Sequence, residues 1–506
     1  MANTVPTSSS ASGDGPKLER GILTTRNCVA LSAAAMAPVL AVVLNAPAAG
    51  ANAGAALPVA FLLAFVAALF VSNTVIEFTK KLPSSGSFYT FCTKSIGSLA
   101  GFLTGWIYAA AFVALTIGLF TANGAFMHTY LQSTFGWDVP WWLLGIILVG
   151  LAMILSVRSI RTSVRLDLIL LAAEMFVFAL LALIAIMRAG SGNSLSYFNP
   201  TSGPNGLSGV GLGVVFGLLS YIGFEAAATL GEETANPKRN VPLAIRGALI
   251  GVGVFFVFVL YGLAAGFHLN TDEGLTNFLA SPAQFTSLAE QNAPWLTQPV
   301  EFAAVAGLFS CMLAVLNTTV RVMYAMASER VLPPVLSRIH PKFRSPFISI
   351  YVLVGFSVIV GIALSLWVGS GLTDVYGFTG SIGTIGVILV YAMANVGLIK
   401  FYWGEADFNA WRHLVAPVIG TAVLLYPLWS TVKPGQDFPY NHVSEIVLVW
   451  LVIGLAVYYY IKRTAPEKLA AMGATMATDE IDFAEGKSPS LSPDGLPDVD
   501  PALEKP

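Results

Sequence analysis

The chain alternates long apolar stretches with short polar links. A helix needs about 20 mostly apolar residues to cross the hydrocarbon core of a bilayer. Twelve stretches meet this requirement, at about residues 28–52, 56–80, 98–127, 139–157, 166–188, 207–231, 241–267, 297–325, 346–368, 375–402, 411–431 and 443–462. The pattern predicts an all-α polytopic membrane protein with twelve transmembrane helices, which are called spans 1 to 12 below.

The composition of the 506 residues agrees with a membrane protein. Hydrophobic residues make up 56% of the chain and charged residues 11%, against about 25% charged residues in an ordinary soluble domain. The lipid bilayer is therefore the expected solvent. The net charge of −2 gives no indication of a nucleic-acid partner, and the three cysteines suggest no disulfide framework.

The histidines argue against an enzyme. All five fall in predicted loops or at predicted helix ends, without a His-Glu-x-x-His motif or paired cysteines. The sequence therefore predicts neither a metal site nor a cofactor. A repeated pore loop of the kind expected in an ion channel is also missing from the sequence.

The distribution of basic residues predicts the orientation of the spans. Loops on the cytoplasmic side of a membrane carry an excess of Lys and Arg. With the N-terminus in the cytoplasm, all but two of the 26 Lys and Arg residues lie in cytoplasmic segments or at cytoplasmic helix ends. The exceptions are Arg188 and Lys433, and the loop at 268–296 on the opposite side has acidic residues but no basic one. Both termini are therefore expected in the cytoplasm.

Two polar tails flank the predicted spans. Residues 1–27 are largely of low complexity, and residues 464–506 contain nine acidic residues and three lysines. Segments with so little apolar content cannot bury enough surface to fold. The sequence predicts a disordered cytoplasmic N-terminal tail and a disordered acidic C-terminal tail.

Span 1 contains a candidate helix break. Pro38 near its middle removes a helix hydrogen bond, and most residues from Ala33 to Ala37 are small. Unwound backbone at membrane depth is tolerated where it lines a cavity, so such a break points to a substrate site. A simple proline kink with small-residue packing is equally consistent with this segment taken alone.

Span 6 contains a second candidate break. Gly217 and Gly223 flank Ser220 and Tyr221, and Glu225 lies within the apolar stretch. A carboxylate inside the membrane is costly unless it is paired or neutralised, and it usually serves function. Breaks in spans 1 and 6 have the offset expected for two inverted repeats of five spans, with the substrate between them.

The residues of span 6 resemble a known signature. The stretch at 223–242, GFEAAATLGEETANPKRNVP, is similar to the sixth-helix signature of the amino acid–polyamine–organocation permease superfamily. Supporting stretches are Glu77 with LPSSGSFY at 82–89, GFLTGW at 101–106 and NTTVRVMYAMA at 317–327. The resemblance covers about residues 28–463.

The resemblance implies a fold and a site. The fold is a five-plus-five inverted-repeat core of spans 1–10 at 28–402, with spans 1 and 6 broken and spans 11 and 12 at 403–463 outside it. The substrate is a small amine-bearing molecule, in the first place an amino acid, held by the freed backbone of the breaks. Carried over by position, the substrate-binding residues are Ala35, Ala37, Pro38, Ser220, Tyr221, Ile222, Gly223 and Phe224, of which Tyr221 and Phe224 are the candidates for gating.

The chain departs from the family pattern in two places. Ala-Met-Ala-Pro stands where the family's first span is usually Gly-rich, so the point of unwinding there stays open. Many proton-coupled members carry a lysine midway along span 5, where this chain has Glu174. Burial in an apolar helix favours the protonated form of a carboxyl. Glu174 is therefore expected to carry the coupling proton or to contact a cationic substrate group; a neutral structural acid is the alternative.

Two further residues are candidates for coupling. Glu225 takes part in coupling or stabilises the broken helix. Ser310 is available to a sodium site, but its neighbour Cys311 is a poor ligand for a hard cation, so protons are favoured over sodium.

Charged residues at the cytoplasmic end of span 6 have two interpretations. One is that the residues Glu232, Glu233, Lys238 and Arg239 form a gate network with Glu77 or Arg321. The other is that they make ordinary interfacial ion pairs of little energetic value.

Together these patterns predict a secondary active transporter of amino acids in the cytoplasmic (inner) membrane, coupled to protons and working by alternating access. A polyamine or amino-alcohol permease, an amino acid exchanger and a transporter-like nutrient sensor are the alternatives.

Overall fold

The computed structural model describes residues 21–368, 372–470 and 472. Apart from one isolated bridge between Leu23 and Thr234, the regular structure in these ranges is helical. The unbroken spans are span 2 at Leu57–Lys81, span 3 at Ser98–Phe135, span 4 at Trp141–Arg158, span 5 at Ile160–Arg188, span 7 at Pro237–Phe267, span 8 at Thr297–Ser328, span 9 at Phe347–Val368, span 10 at Leu372–Tyr402, span 11 at Trp411–Val432 and span 12 at Val443–Thr464.

The number of spans agrees with the prediction. In the described ranges, eleven helical segments are long and apolar enough to cross a membrane, and the first of them, Thr25–Lys81, has 57 residues. One span needs about 20 residues, so this segment holds two. The chain turns at Gly54, where φ is 53°, and Ala49 and Ala60 on either side both approach Gly213. The segment is thus a helical hairpin of spans 1 and 2, and the prediction of twelve spans is confirmed.

Spans 1 and 6 are broken where the sequence predicts. Span 1 consists of Thr25–Ala35 and a second half from Pro38 to Ala53, separated at Ala37, where φ is 48°. Pro38 has no N–H, so Ala34 O accepts instead from Ala37 N at 2.9 Å. Span 6 consists of Gly206–Ser220 and the 3-10 helix Phe224–Leu230.

The helix contacts repeat with an offset of five spans. Span 3 packs against span 10, and span 8 packs against span 5. Span 1 packs against span 7, and span 6 packs against span 2. Each pair becomes its counterpart when five is added to or subtracted from the span numbers, as two inverted repeats of five spans require.

Short helices connect the spans. They are Phe88–Ser95 between spans 2 and 3, Asp272–Ala280 and Gln284–Asn292 between spans 7 and 8, and Pro466–Ala470 after span 12. The end of the bundle that carries Lys80, Arg158, Arg239 and Arg330 is called the basic end. The loop at 268–296 lies at the opposite end.

A few residues of the two predicted tails are packed against the bundle. Leu23 is fully buried, and its N–H donates to Glu233 O at 3.0 Å; span 1 then begins at Thr25, before residue 28. Residues 465–468 are exposed or partly exposed, but Leu469 is buried. The rest of the predicted tails, at 1–20, 471 and 473–506, lies outside the described residues.

Candidate substrate site

A cavity of about 520 Å³ lies at the two helix breaks. Its walls come from spans 1, 3, 6, 8 and 10, and it reaches Gln436 and Tyr440 in the link between spans 11 and 12 at the opposite end. Its volume is in the range of small-molecule sites, about 300–1,000 Å³. No charged side chain is among the described residues that line it.

Five of the eight residues predicted to bind substrate line this cavity: Ala35, Ala37, Ser220, Ile222 and Gly223. The remaining three are buried outside the lining. Pro38 is buried at the start of the second half of span 1, Tyr221 packs between Phe65 and Phe256, and Phe224 packs against Tyr391. The two aromatic candidates for gating thus point away from the cavity in this conformation.

The two breaks touch each other. Gly223 has φ 107°, and a Cβ added to it would lie 2.6 Å from Ala35 C. Only glycine combines this backbone conformation with this approach at no steric cost. Gly223 is therefore the point at which the unwound segments of spans 1 and 6 pack backbone against backbone.

Side chains tie the broken spans together on both sides of this contact. On the side of the basic end, Ser32 Oγ donates to Phe224 O at 2.7 Å and accepts from Ala227 N at 3.0 Å. On the other side, Asn45 Nδ2 donates to Ser220 Oγ at 3.0 Å. The two bonds of Ser32 satisfy backbone groups at the break in span 6, and the bond of Asn45 joins side chains of the two spans.

Glu225 holds the break in span 6 against two other spans. Its carboxyl accepts from Tyr391 Oη of span 10 at 2.6 Å, from Tyr108 Oη of span 3 at 3.3 Å and from Gly223 N at 3.1 Å. The residue is fully buried and is not among the residues that line the cavity. Of its two predicted roles, this geometry fits the stabilisation of the broken helix.

Glu174 and Ser310 lie behind the cavity wall. Glu174 is buried over Gly307 of span 8, and its Oε2 has no hydrogen-bond partner among the described residues. Ser310 Oγ donates to Asp167 Oδ1 of span 5 at 3.3 Å. Cys311, the neighbour of Ser310, lines the cavity. Asp167 was not among the site residues predicted from the sequence. It follows Arg161 and Arg165, and this position is typical of a polar helix end.

Spans 3, 8 and 10 supply site residues that sequence reasoning missed. Phe112, Cys311, Tyr376 and Thr384 line the cavity from these unbroken helices. An apolar helix gives no indication of which face meets a cavity. The one available signal was the small and polar run from Gly377 to Thr384 at the start of span 10, which contains three glycines.

The basic end is closed below the breaks. Arg321 Nε donates to Glu233 Oε2 at 2.7 Å and Nη2 to Glu233 Oε1 at 3.3 Å, and both side chains are buried. Tyr89 Oη donates to Glu329, and Ser85 Oγ donates to Glu232 Oε1 at 2.5 Å. Glu77 instead pairs with Lys80 and lies 3.6 Å from His413 Nε2. Of the predicted partners, Glu233 and Arg321 are brought together, and their burial distinguishes them from surface pairs.

The chain matches the family described as amino acid permease over residues 23–458. It is 25% identical over 441 residues to the methylthioribose transporter of Bacillus subtilis (strain 168), covering 83% of this chain and 89% of that protein. It is also 25% identical over 438 residues to the branched-chain amino acid permease BcaP of the same organism, covering 81% and 87%.

A solved structure shares the fold. The manganese transporter of Eremococcus coleocola superposes with a TM-score of 0.53 at 12% identity, covering 92% of this chain and 99% of that chain. The likeness agrees with the arrangement of spans described above. With the family match across nearly all of the described spans, the resemblance seen in span 6 is confirmed, and the chain belongs to the amino acid permease family.

Proposed function

We propose that the protein is a proton-coupled permease that carries a neutral amino acid across the cytoplasmic membrane by alternating access. The observation that carries the proposal is the uncharged cavity at the two helix breaks. The N-terminal ends of half-helices favour a carboxylate, and backbone carbonyls at the breaks accept from an ammonium group. A zwitterion therefore finds partners for both of its charges in the backbone.

The apolar walls favour a substrate with an apolar side chain. Phe112, Leu119, Ile222 and Val315 face the cavity, and burying each CH₂ group of a ligand contributes about 0.8 kcal/mol. The relative named as a branched-chain amino acid permease supports the same class. Leucine, isoleucine and valine are accordingly the first substrates to test.

A polyamine fits this cavity less well. A polycation without a carboxylate loses its hydration on entry, and buried charges need partners of opposite sign. The described lining residues offer no acidic side chain. A neutral solute has no charge to bury. The second candidate is therefore methylthioribose, which is the substrate named for one relative.

Glu174 is the proposed proton carrier. Its carboxyl is buried at the interface of spans 5 and 8, beside the cavity wall. An ionised carboxylate in this apolar setting is costly, whereas the protonated form is neutral. The charge at this interface therefore follows proton binding, which couples the packing of spans 5 and 8 to the proton gradient.

The orientation of the carrier is also part of the proposal. The excess of Lys and Arg at the basic end supports a cytoplasmic location for that end and for both tails. The cavity then opens to the outside, and the Glu233–Arg321 side is the inner gate. Protease treatment of right-side-out vesicles should leave a C-terminal tag intact.

Uptake into proteoliposomes tests the substrate and the coupling together. The labelled panel contains leucine, isoleucine, valine, putrescine, ethanolamine and methylthioribose, each with an inward proton gradient, an inward sodium gradient or neither. Accumulation of the branched-chain amino acids with the proton gradient is the expected result. Uptake only against preloaded internal substrate would identify an exchanger, and binding without uptake would identify a sensor; both would refute the proposal.

Glu174→Gln tests the proton carrier. The amide keeps the shape of the side chain but binds no proton, so pH-driven accumulation should be lost while exchange of internal for external substrate continues. The loss expected for a positioned proton-transfer group is about 100-fold. Glu301→Gln is the control, because this acid lies near the start of span 8, is partly exposed and accepts a hydrogen bond from Ser133 of span 3. Undiminished pH-driven accumulation in Glu174→Gln would rule out this role.

A further inference from the structure

A row of buried polar side chains follows the seam between spans 5 and 8. On span 5 the row consists of Ser163, Asp167 and Glu174, all of which are fully or almost fully buried. Their spacing of four and seven residues places them on one face of the helix. Spans 5 and 8 run antiparallel, so Glu174, Asp167 and Ser163 meet residues of span 8 that lie successively closer to the basic end, namely Gly307, Ser310 and Asn317.

Asp167 occupies the middle of the row. Ser310 Oγ donates to its Oδ1 at 3.3 Å, and its Oδ2 has no hydrogen-bond partner among the described residues. Neither Asp167 nor the adjacent Glu174 forms an ion pair in the described part of the chain. A buried carboxyl in this position has the capacity to take up a cation or a proton.

Glu174 and Asp167 are close enough to influence each other. Their side chains meet Gly307 and Ser310 of span 8, which lie three residues apart on neighbouring turns. Other charged residues of spans 5 and 7, such as Arg165 and Arg246, are exposed. Two carboxyls in one apolar site are not both ionised at once, so a proton is held by the pair.

The row continues from Asp167 to the basic end. Asn317 Nδ2 donates to Ser163 Oγ at 2.7 Å, and Arg321 Nη1 donates to Asn317 O at 2.9 Å. Asn317, Arg321 and Glu233 line a small cavity of about 20 Å³ at that end. This volume suffices for about one water molecule. Polar groups thus connect the buried acids to the side that the inner gate closes.

The substrate cavity is separate from this row. Cys311 lines the cavity, whereas Asp167, Glu174 and Asn317 are not among its lining residues. The row and the substrate cavity therefore lie against different faces of span 8.

We propose that Asp167 is a second proton-binding residue and that the seam between spans 5 and 8 is the route by which the coupling proton leaves toward the basic end. The inference rests on the proton coupling proposed above. The Asp167 carboxyl gives its proton to water that enters beside Ser163 and Asn317 when the Glu233–Arg321 gate opens, and the Asp167 carboxylate so formed takes up the proton of the Glu174 carboxyl. Glu174 is left ionised until the next proton arrives from the opposite end.

Asp167→Asn tests the route. The amide retains the bond from Ser310 but cannot carry a proton, so net proton-driven uptake should fall by about 10- to 100-fold. Counterflow exchange needs no proton release and should stay close to the wild-type rate, which also shows that the variant is folded. The rate of net uptake is also measured at several values of internal pH. In the wild-type protein it should fall as the internal pH falls, whereas in Asp167→Asn it should no longer depend on internal pH.

Two outcomes separate this inference from the proposed function. No proton-driven uptake in the wild-type protein would refute the coupling itself. Proton-driven uptake that is normal in Asp167→Asn but lost in Glu174→Gln would leave the coupling intact and overturn the route.

Sodium is the other cation that these oxygens could hold. If a sodium gradient drives uptake in the wild-type protein and Asp167→Asn abolishes the sodium dependence, the row is a sodium site and the proton route is wrong. Asn317→Leu supplies a second variant. It removes the polar link beyond Asp167, and under the proposed route it should slow net uptake while sparing counterflow; equal loss of both would contradict the route.

Discussion

At the scale of single residues, the site depends on positions where backbone meets backbone. Gly223 and Ala35 bring the two unwound segments into contact, and Ser32 bridges them with one hydroxyl that both donates and accepts. Neither Gly223 nor Ala35 contributes a side chain that recognises a substrate. In the proposed function, they hold backbone groups at membrane depth in a fixed arrangement, which lowers the entropic cost of binding.

Gly223→Ala should disrupt this arrangement. The added methyl group would collide with Ala35, and the left-handed conformation itself costs a non-glycine residue about 1–2 kcal/mol. We expect substrate affinity and uptake to fall at least about tenfold, with a lower midpoint of thermal unfolding in detergent.

Gly251→Ala is the matched control, because the added methyl group would have no atom within 4 Å and the residue is within the helix of span 7. Alanine is favoured over glycine there by about 0.5–1 kcal/mol. Equal uptake in the two variants would show that the contact between the breaks is dispensable.

At the scale of helices, Glu225 fastens the broken span 6 to spans 3 and 10. Tyr391 and Tyr108 donate from those two unbroken helices, and the aromatic rings of Phe88 and Phe224 pack around Tyr391. A buried carboxyl with three donors is satisfied without a cation. Span 6 can therefore remain interrupted without leaving its acid unpaired.

Tyr391→Phe should weaken this attachment. The substitution keeps the ring but removes the donor at 2.6 Å, and leaving a buried acceptor with fewer partners costs about 1–3 kcal/mol. Chemical or thermal unfolding in detergent measures the loss. Tyr108→Phe removes the longer bond of 3.3 Å and should cost less; the reverse order would contradict the assignment of the main donor to span 10.

The spans and their breaks could be predicted from the sequence more accurately than the side chains that line the cavity. Length and apolarity were enough for twelve spans, and Pro38 and Gly223 marked the breaks because proline and glycine act on the local backbone. Side-chain direction depends on tertiary packing. Tyr221 and Phe224 lie in the predicted segment but point toward Phe256 and Tyr391, and Cys311 and Tyr376 reach the cavity from spans without any local irregularity.

Asp167 shows a different limit of sequence reasoning. Its neighbours Arg161 and Arg165 are exposed and indicate a helix end, whereas Asp167 itself is fully buried because the helix turns it toward span 8. A count of seven residues to Glu174 would have placed both acids on one face. The partner Ser310 on span 8 could not be found from the sequence, since it lies 143 residues away along the chain.

At the scale of the whole molecule, the bundle is closed at one end and hollow toward the other. The cavity reaches the link between spans 11 and 12, while the buried pair of Arg321 and Glu233 and the pairing of Leu23 with residues 233–235 seal the basic end. Opening that end requires the buried ion pair to separate. We therefore expect the strength of this pair to affect the balance between the closed and open states of the basic end.

Glu233→Gln should shift the balance toward an open basic end. Loss of one partner leaves Arg321 as an uncompensated buried charge, which costs the closed state about 3–5 kcal/mol. Cys28 reports the change, because it is fully buried beside Thr234 Oγ1 at 3.2 Å. In a background without Cys92 and Cys311, we expect much faster alkylation of Cys28 by a membrane-permeant maleimide.

The control is an ion pair at the same end that remains in solvent. Lys81 Nζ lies 2.8 Å from Asp407 Oδ2, and both side chains are about half exposed. Asp407→Asn should leave the alkylation rate of Cys28 unchanged, since exposed pairs contribute little. Equal rates in the wild type and Glu233→Gln would show that the buried pair does not hold the basic end closed.

The uncharged lining of the cavity has an electrical consequence. In the proposed cycle, a zwitterion with no net charge crosses together with one proton, so each cycle moves one positive charge through the membrane. A potential of 100 mV, negative inside, then adds about 2.3 kcal/mol to the driving force, or roughly a 40-fold increase in the attainable accumulation ratio. Voltage, and not only the pH difference, becomes a source of energy for the carrier.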